Sequence, residues 1–228
     1  ACMMDMYPAL TKGAAIYIIP EDMRLDIAEI NAYFEEKQIT NAFFTTQVSR
    51  AYAVSMKNTS LKSVIGGGET LTPCEPPQNY KLINAYGPTE CTILCSAFLV
   101  DKLYNRVPIG KPVDNNKFYV VDKQGRRLPA GALGELCIAG LHVGRGYLNR
   151  PELTAFCKNP FSDEKEYNRM YRTGDILRIM PDGNLDIIGR RDGQVKIRGF
   201  RIELSEVERI IREFDGVKDA TVIAVDEP

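Results

Sequence analysis

The sequence has no tryptophan and a single histidine, His142. With no G-x-S-x-G segment either, a Ser-His-Asp triad has poor prospects. The six cysteines, at positions 2, 74, 91, 95, 137 and 157, include no C-x-x-C pair, which argues against a zinc site and a thioredoxin-type motif. They read as reduced, mostly buried thiols of a cytoplasmic protein. Asn58-Thr59-Ser60 is a formal glycosylation triplet that means little without secretion. No apolar run reaches the roughly 18 residues of a membrane span, and the opening residues carry neither a basic flank nor a signal-like stretch. Charge of neither sign dominates: Lys plus Arg number 29 and Asp plus Glu 30, a net charge of -1. Nothing electrostatic therefore points to nucleic acid or an anionic membrane as partner. A Walker-type phosphate loop is absent, and Gly144-Arg145-Gly146 lacks the third glycine of a dinucleotide fingerprint.

What is present begins with size: 228 residues, 44% hydrophobic and 26% charged, are globular values for one large domain, or for one domain and part of another. The most informative stretch is Asn84-Ala85-Tyr86-Gly87-Pro88-Thr89-Glu90. Tyr80-Lys81-Leu82-Ile83 reads as a short strand running into it, and Gly87-Pro88 turns the backbone sharply. Side chains that project from such a strand end lie where open α/β sheets bind ligands. A Tyr face can stack on a purine, a Thr hydroxyl can donate to a phosphate oxygen, and a Glu carboxylate can hold a hard cation. Any one of these residues alone is better read as part of an ordinary strand-turn-strand connection with a core Tyr.

Along the chain, residues 3–10 read as a helix closing at Lys12-Gly13. Residues 14–19 read as a strand stopped by Pro20, 26–37 as an amphipathic helix, and 39–44 as a strand. Residues 47–56 read as a second helix and 61–65 as a strand ending in Gly66-Gly67-Gly68. Strand and helix alternating at this spacing argue for parallel βαβ units. Consecutive glycines after a strand allow a ligand to approach the backbone, or serve as a flexible linker. Pro73, Pro76 and Pro77 keep residues 72–79 from being a helix.

From about Asn105 the pattern turns to antiparallel strands, including 117–122 and 134–139, in a barrel-like arrangement. Arg150-Pro151-Glu152 reads as the start of a short helix. Segments 176–180 and 185–188 flank a hairpin turn at residues 181–184. Counting back from that turn brings Asp175 and Arg190 to the same end, where a carboxylate can accept from vicinal hydroxyls beside a guanidinium fork. A structural ion pair is the alternative. Residues 194–202 alternate like a basic-faced hairpin strand, Ser205 and Glu208 form a capping box for a helix carrying Val207, Ile210, Ile211 and Phe214, and 217–225 read as one more strand.

Residues 84–90, Gly134-Glu135-Leu136 with Arg145-Gly146-Tyr147 and 150–154, 171–175, and 189–208 together resemble consecutive core motifs of the adenylation domains of nonribosomal peptide synthetases, in the superfamily of adenylate-forming enzymes. The likeness covers nearly the whole chain in the family's order. It implies an α/β fold: residues 1–192 as the later part of the large subdomain, a βαβ sheet layer plus the barrel-like region, and 193–228 as the start of a small mobile α+β subdomain. It implies that ATP, with Mg²⁺, and an amino acid form an aminoacyl-adenylate. The aminoacyl group then passes to the phosphopantetheine thiol of a peptidyl carrier domain within the synthetase. By motif, Tyr86 would stack on adenine, Thr89 would contact the α-phosphate, Glu90 would hold Mg²⁺, and Asp175 would take the ribose hydroxyls with Arg190 beside it. Gly68, Glu69, Asn84 and Ala85 would line the nucleotide site, and Asp192 would be the hinge of the small subdomain.

The sequence departs from the family in lacking its glycine-rich phosphate loop and the lysine near its C-terminus, so the fragment alone is expected to be inactive. Ala1 falls immediately after the position of the family's substrate-binding aspartate. An acyl- or aryl-acid CoA ligase of the same superfamily and a non-catalytic docking piece are the alternatives; Asn84-Ala85 before Tyr86 favours the amino-acid branch. By resemblance the side-chain pocket falls on Ala1, Met4, Phe43, Ile65, Gly67, Ala85, Ile93 and Leu94. None is charged, which implies an apolar substrate, best a branched aliphatic one.

Overall fold

The structure is a computed structural model that describes residues 2–153, 155–197 and 200–225. Helix α1 (Cys2–Thr11) ends as expected, with the Gly13 amide donating to the Leu10 carbonyl at 3.1 Å. Helix α2 (Ile27–Glu36) begins where Asp26 accepts the amides of Ala28 and Glu29 at 2.8 and 3.0 Å, which satisfies two of the donors a helix start leaves open. Strand β1 (Asn41–Thr45) leads directly into α3 (Thr46–Ser55), and β2 (Ser63–Gly67), β3 (Lys81–Tyr86), β4 (Ser96–Val100) and β5 (Lys111–Pro112) complete a sheet in the order β1-β2-β3-β4-β5. The first three are parallel, and β4 turns back antiparallel against β3.

Because side chains alternate across a strand, this sheet has two different faces. Phe44, Val64, Leu82 and Val100 pack on Ile30 and Phe34 of α2 and Tyr52 of α3. Gly66 belongs to that face, and a Cβ there would lie 2.0 Å from Ser49 Oγ, so the bare position is what lets α3 sit down. The other face carries Phe43, Ile65, Gly67 and Ala85, aligned through the pairs Phe43–Ile65 and Gly67–Ala85.

The second sheet is antiparallel, built from β6 (Asn116–Val121), β7 (Gly134–Gly140), β8 (Phe156–Lys158), β9 (Arg169–Ile179) and β10 (Leu185–Arg190) in the order β10-β9-β7-β6, with β8 on β9. Every residue of β7 is buried. Its core of Val120, Leu136, Ile138, Leu177 and Leu185 extends to Cys91, Cys95 and Ile109, and Tyr86 packs against it from the end of β3. The sheets are stitched by the bridge between Gly110 and Leu185. Beyond β10 come a hairpin, β11 (Val195–Ile197) and β12 (Phe200–Ile202), and helix α4 (Leu204–Arg212).

Four local expectations are corrected. Residues 14–19 form no strand: Ile16, Tyr17 and Ile18 are exposed with no ladder partner, and β1 is the edge of its sheet. Residues 150–153 form a turn rather than a helix, closed by the Leu153 amide on the Arg150 carbonyl at 3.2 Å; Thr154 lies outside the described residues. The capping box is not made, because α4 starts at Leu204 and Ser205 is already inside it; Glu208 instead accepts the Val222 amide at 3.0 Å. Residues 217–225 are not a strand, since among the described residues the β11-β12 pair forms a sheet of its own.

Candidate nucleotide and cation site

Tyr86 is the last residue of β3, so the turn at Gly87-Pro88 starts from the strand itself. A Cβ on Gly87 would fall 2.1 Å from the Ile93 carbonyl oxygen, and that close approach folds residues 89–93 back over the strand end. Within this loop Thr92 holds φ at +74°, which is costly for a β-branched residue. Its hydroxyl donates to the His142 carbonyl at 2.8 Å, one of the contacts that fix the loop.

The Tyr86 hydroxyl donates to Asp175 Oδ2. Burial first, and then the Asp175 charge, push that phenol well above its ordinary pKa, so it stays a donor. Asp175 pairs across the β9-β10 register with Arg190, whose guanidinium reaches Oδ1 at 2.6 Å. The same guanidinium grips Asp192 with its other edge, at 2.9 and 2.7 Å. Burial alone would raise the Asp192 pKa, but Arg190 outweighs it and holds the carboxyl below its ordinary value. Gly174 makes the arrangement possible: its φ is +74°, and a Cβ there would lie 2.7 Å from Asp192 Oδ2. A carboxylate offers about four acceptor positions, so Asp175 keeps room for two more donors beside Tyr86 and Arg190.

Glu90 occupies the other side of the turn in the 3₁₀ segment Thr89–Cys91. Its carbonyl accepts the Gly144 amide at 2.8 Å, which brings the loop carrying Tyr147 alongside. Oε1 of Glu90 accepts from the Tyr147 hydroxyl at 2.6 Å and from Arg201 at 2.7 Å. Its side chain is only 7% exposed, and Oε2 is buried with no hydrogen-bond partner among the described residues. Burial alone would raise the Glu90 pKa; the Tyr147 and Arg201 contacts more than reverse this, so the carboxylate is charged at neutral pH. A buried anionic oxygen with an open lone pair fits a hard cation. No group of three or more possible ligands occurs among the described residues, so most of the coordination shell would have to come from phosphates and water.

The remaining expected residues separate. Phe43, Ile65, Gly67 and Ala85 share one face, and a Cβ on Gly67 would meet the Ala85 carbonyl at 3.0 Å and the Phe43 ring at 3.6 Å. Ile93 and Leu94 are half-buried in the folded-back loop, and Met4 lies on α1, which has no buried residue. Ala1 is outside the described residues. Thr89 is exposed at the start of its turn. Asn84 is buried on the helix face of the sheet and donates to the Pro108 carbonyl at 2.8 Å. Gly68 has φ +113° and open space around it, while Glu69 is tied to α3 through its amide on Thr46 Oγ1 at 3.0 Å. The glycine triplet therefore divides: Gly66 serves packing, Gly67 bares the face beside Ala85, and Gly68 supplies the backbone angle.

Three residues went unassigned in the sequence. Tyr147 and Arg201 converge on Glu90 from 57 and 111 positions away. Glu135, 4% exposed at a bulge in β7, gathers Arg172 and Arg191 and supports the start of the β9-β10 hairpin. Each stands in or beside a motif already noted, but no spacing rule joins such distant positions.

Residues 1–148 match the family described as AMP-binding enzyme. The chain belongs to that family. It is part of an adenylation domain of the nonribosomal peptide synthetase kind. It is 42% identical over 226 residues to bacitracin synthase 1 of Bacillus licheniformis, and 38% identical over 240 residues to tyrocidine synthase 3 of Brevibacillus parabrevis. These alignments cover 98% and 100% of the chain, which spans only 4% of either relative. An artificially fused adenylation-PCP di-domain from Klebsiella oxytoca superposes with a TM-score of 0.78 at 26% identity, covering 98% of this chain and 43% of that one. A second protein with adenylation and PCP domains superposes at 0.72 over 86% of this chain. No helix among the described residues is long and apolar enough to cross a membrane.

Proposed function

We propose that the protein carrying this chain uses ATP and Mg²⁺ to activate an amino acid as its aminoacyl-adenylate, and then delivers the aminoacyl group to the phosphopantetheine thiol of a carrier domain. In the first step a carboxylate oxygen of the amino acid bonds to the α-phosphorus of ATP and pyrophosphate leaves. In the second the thiolate attacks the acyl carbon and AMP leaves. The observation that carries the reading is the buried, charged and half-satisfied Glu90, set across one tight turn from Tyr86 and Asp175.

On this reading Asp175 accepts the two ribose hydroxyls in its open acceptor positions, while Arg190 and Tyr86 hold the carboxylate still. The Tyr86 ring, anchored by its own hydroxyl, offers a face to adenine. Thr89, exposed at the loop, contacts the α-phosphate. Glu90 presents Oε2 to the cation, which when bound neutralises phosphate charge. Gly68, Glu69 and the Asn84-Ala85 backbone border the nucleotide. Asp192 is the hinge, and its bidentate pair with Arg190 joins the hinge to the ribose site.

Phe43, Ile65, Gly67 and Ala85, which share one sheet face, are the proposed centre of the substrate pocket, with Met4 on α1 and Ile93 and Leu94 in the folded-back loop as further lining; the resemblance adds Ala1, outside the described residues. A charged or amide side chain would be stranded among them at a cost of a few kcal/mol for each unpaired group, which supports Leu, Ile or Val as substrate. Discrimination among these is expected to be poor, because one methylene is worth about 1–3 kcal/mol. Trapping the adenylate with hydroxylamine across a panel of amino acids in the full-length protein tests this. Hydroxamates are expected from the branched aliphatics; a clear preference for Asp, Lys or Gln refutes the pocket assignment.

A further inference from the structure

The Glu90-Arg201 ion pair joins the turn after β3 to β12, the far strand of the hairpin beyond the hinge position. The two partners of Glu90 Oε1 differ in kind. Tyr147 is neutral, sits on the large part of the chain, and approaches at 2.6 Å. Arg201 is cationic, 38% exposed, and has a second partner, Glu203, at 3.3 Å. Tyr147 can therefore stay while a cation arrives, whereas Arg201 has both a reason and a place to leave.

We propose that the Arg201 guanidinium stands in for the divalent cation at Glu90, so that docking of the β11-β12 hairpin and cation binding oppose one another. This rests on the reading of Glu90 as the cation's protein ligand. A buried carboxylate without a positive neighbour is strongly unfavourable, and Arg201 supplies that charge when no cation does. With a cation on Oε2, two positive groups face each other across one carboxylate from which most water is excluded, and their repulsion is weakly screened. The neighbourhood sharpens this, because Arg190 and Lys196 already feel the positive charge of Arg201. Loading the nucleotide site thus loosens the hairpin, and emptying it draws the hairpin back through Arg201.

The test is a Mn²⁺ titration of the full-length protein with ATP present, reading free Mn²⁺ by electron paramagnetic resonance, beside hydrogen exchange of residues 195–197 and 200–202. Arg201→Gln is expected to bind Mn²⁺ about tenfold more tightly than wild type, within the usual range of coupling between two sites. Arg201→Lys is expected to stay near wild type. Mn²⁺ should speed hairpin exchange in wild type but not in Arg201→Gln. If Glu90→Gln weakens Mn²⁺ binding while Arg201→Gln leaves it equal or weaker, the antagonism is wrong and the cation site stands. If Glu90→Gln leaves Mn²⁺ binding unchanged, Glu90 is not the ligand and both readings fall.

Discussion

Tyr86 performs two tasks with one side chain, a ring packed between the sheets and a hydroxyl committed to Asp175. The two can be separated. Tyr86→Phe keeps the ring and is expected to cost about 1–2 kcal/mol of stability, read in a denaturant titration, because Asp175 loses a buried donor. Tyr86→Ala removes the face as well and should weaken ATP binding by about 1–3 kcal/mol in calorimetry. Unchanged ATP affinity in Tyr86→Ala would take the residue out of the adenine site. The Asp175-Arg190 pair was legible in advance because two antiparallel strands bring both residues to the same end of the hairpin; in detail Ile179 pairs with Leu185 beside the turn, and a bulge between Ile187 and Gly189 shifts the register so that Asp175 meets Arg190. The Glu90 environment was not. Tyr147 and Arg201 reach it through tertiary folding, and neither periodicity nor local spacing encodes such a meeting.

At the level of elements, helices with a core face and strands with a partner were readable; segments whose pattern lacked a neighbour were not. Residues 14–19 and 217–225 have strand-like composition, but a strand is defined by pairing, and no sheet edge runs beside them among the described residues. The capping box failed because α4 starts one position before its expected cap, and side-chain capping depends on that single position. The glycine triplet at the end of β2 suggests a ligand approach or a flexible linker, whereas Gly66 lies within the strand and faces α3. Gly66→Ala is therefore expected to destabilise the fold by about 1–3 kcal/mol through overpacking on Ser49, seen as a lowered thermal midpoint. An unchanged midpoint would mean that α3 shifts freely. The proposed hinge, Asp192, belongs to this scale too. Asp192→Pro fixes φ and should impair thioester formation far more than adenylation, or the reverse; Asp192→Ala, which removes the Arg190 contacts and the acceptor of the Gln194 amide without fixing φ, should affect both more evenly. Equal loss of both half-reactions in Asp192→Pro would indicate general misfolding instead.

For the whole molecule, the decisive arrangement is the junction of a parallel sheet, covered by α2 and α3 on one face, with an antiparallel sheet that carries Asp175 and Arg190 to the end of β3. Neither sheet alone brings a ribose-sized acceptor, an aromatic face and a buried carboxylate together. The βαβ order of the first sheet and the change to antiparallel strands in the second were legible because hydrophobic periodicity and turn residues mark them. That Phe43, Ile65 and Ala85 belong to a substrate pocket is implied by family resemblance alone, since as residues they would look the same in a sheet core. We propose that this junction is the nucleotide and cation site of an AMP-forming enzyme. Amino-acid-dependent exchange of labelled pyrophosphate into ATP by the full-length protein tests it most directly, comparing wild type with Glu90→Gln at equal circular dichroism. Exchange stimulated by a branched aliphatic amino acid and reduced at least about a hundredfold in the variant is the expected result, in line with removal of a group that stabilises transition-state charge. Undiminished exchange in Glu90→Gln would contradict the account.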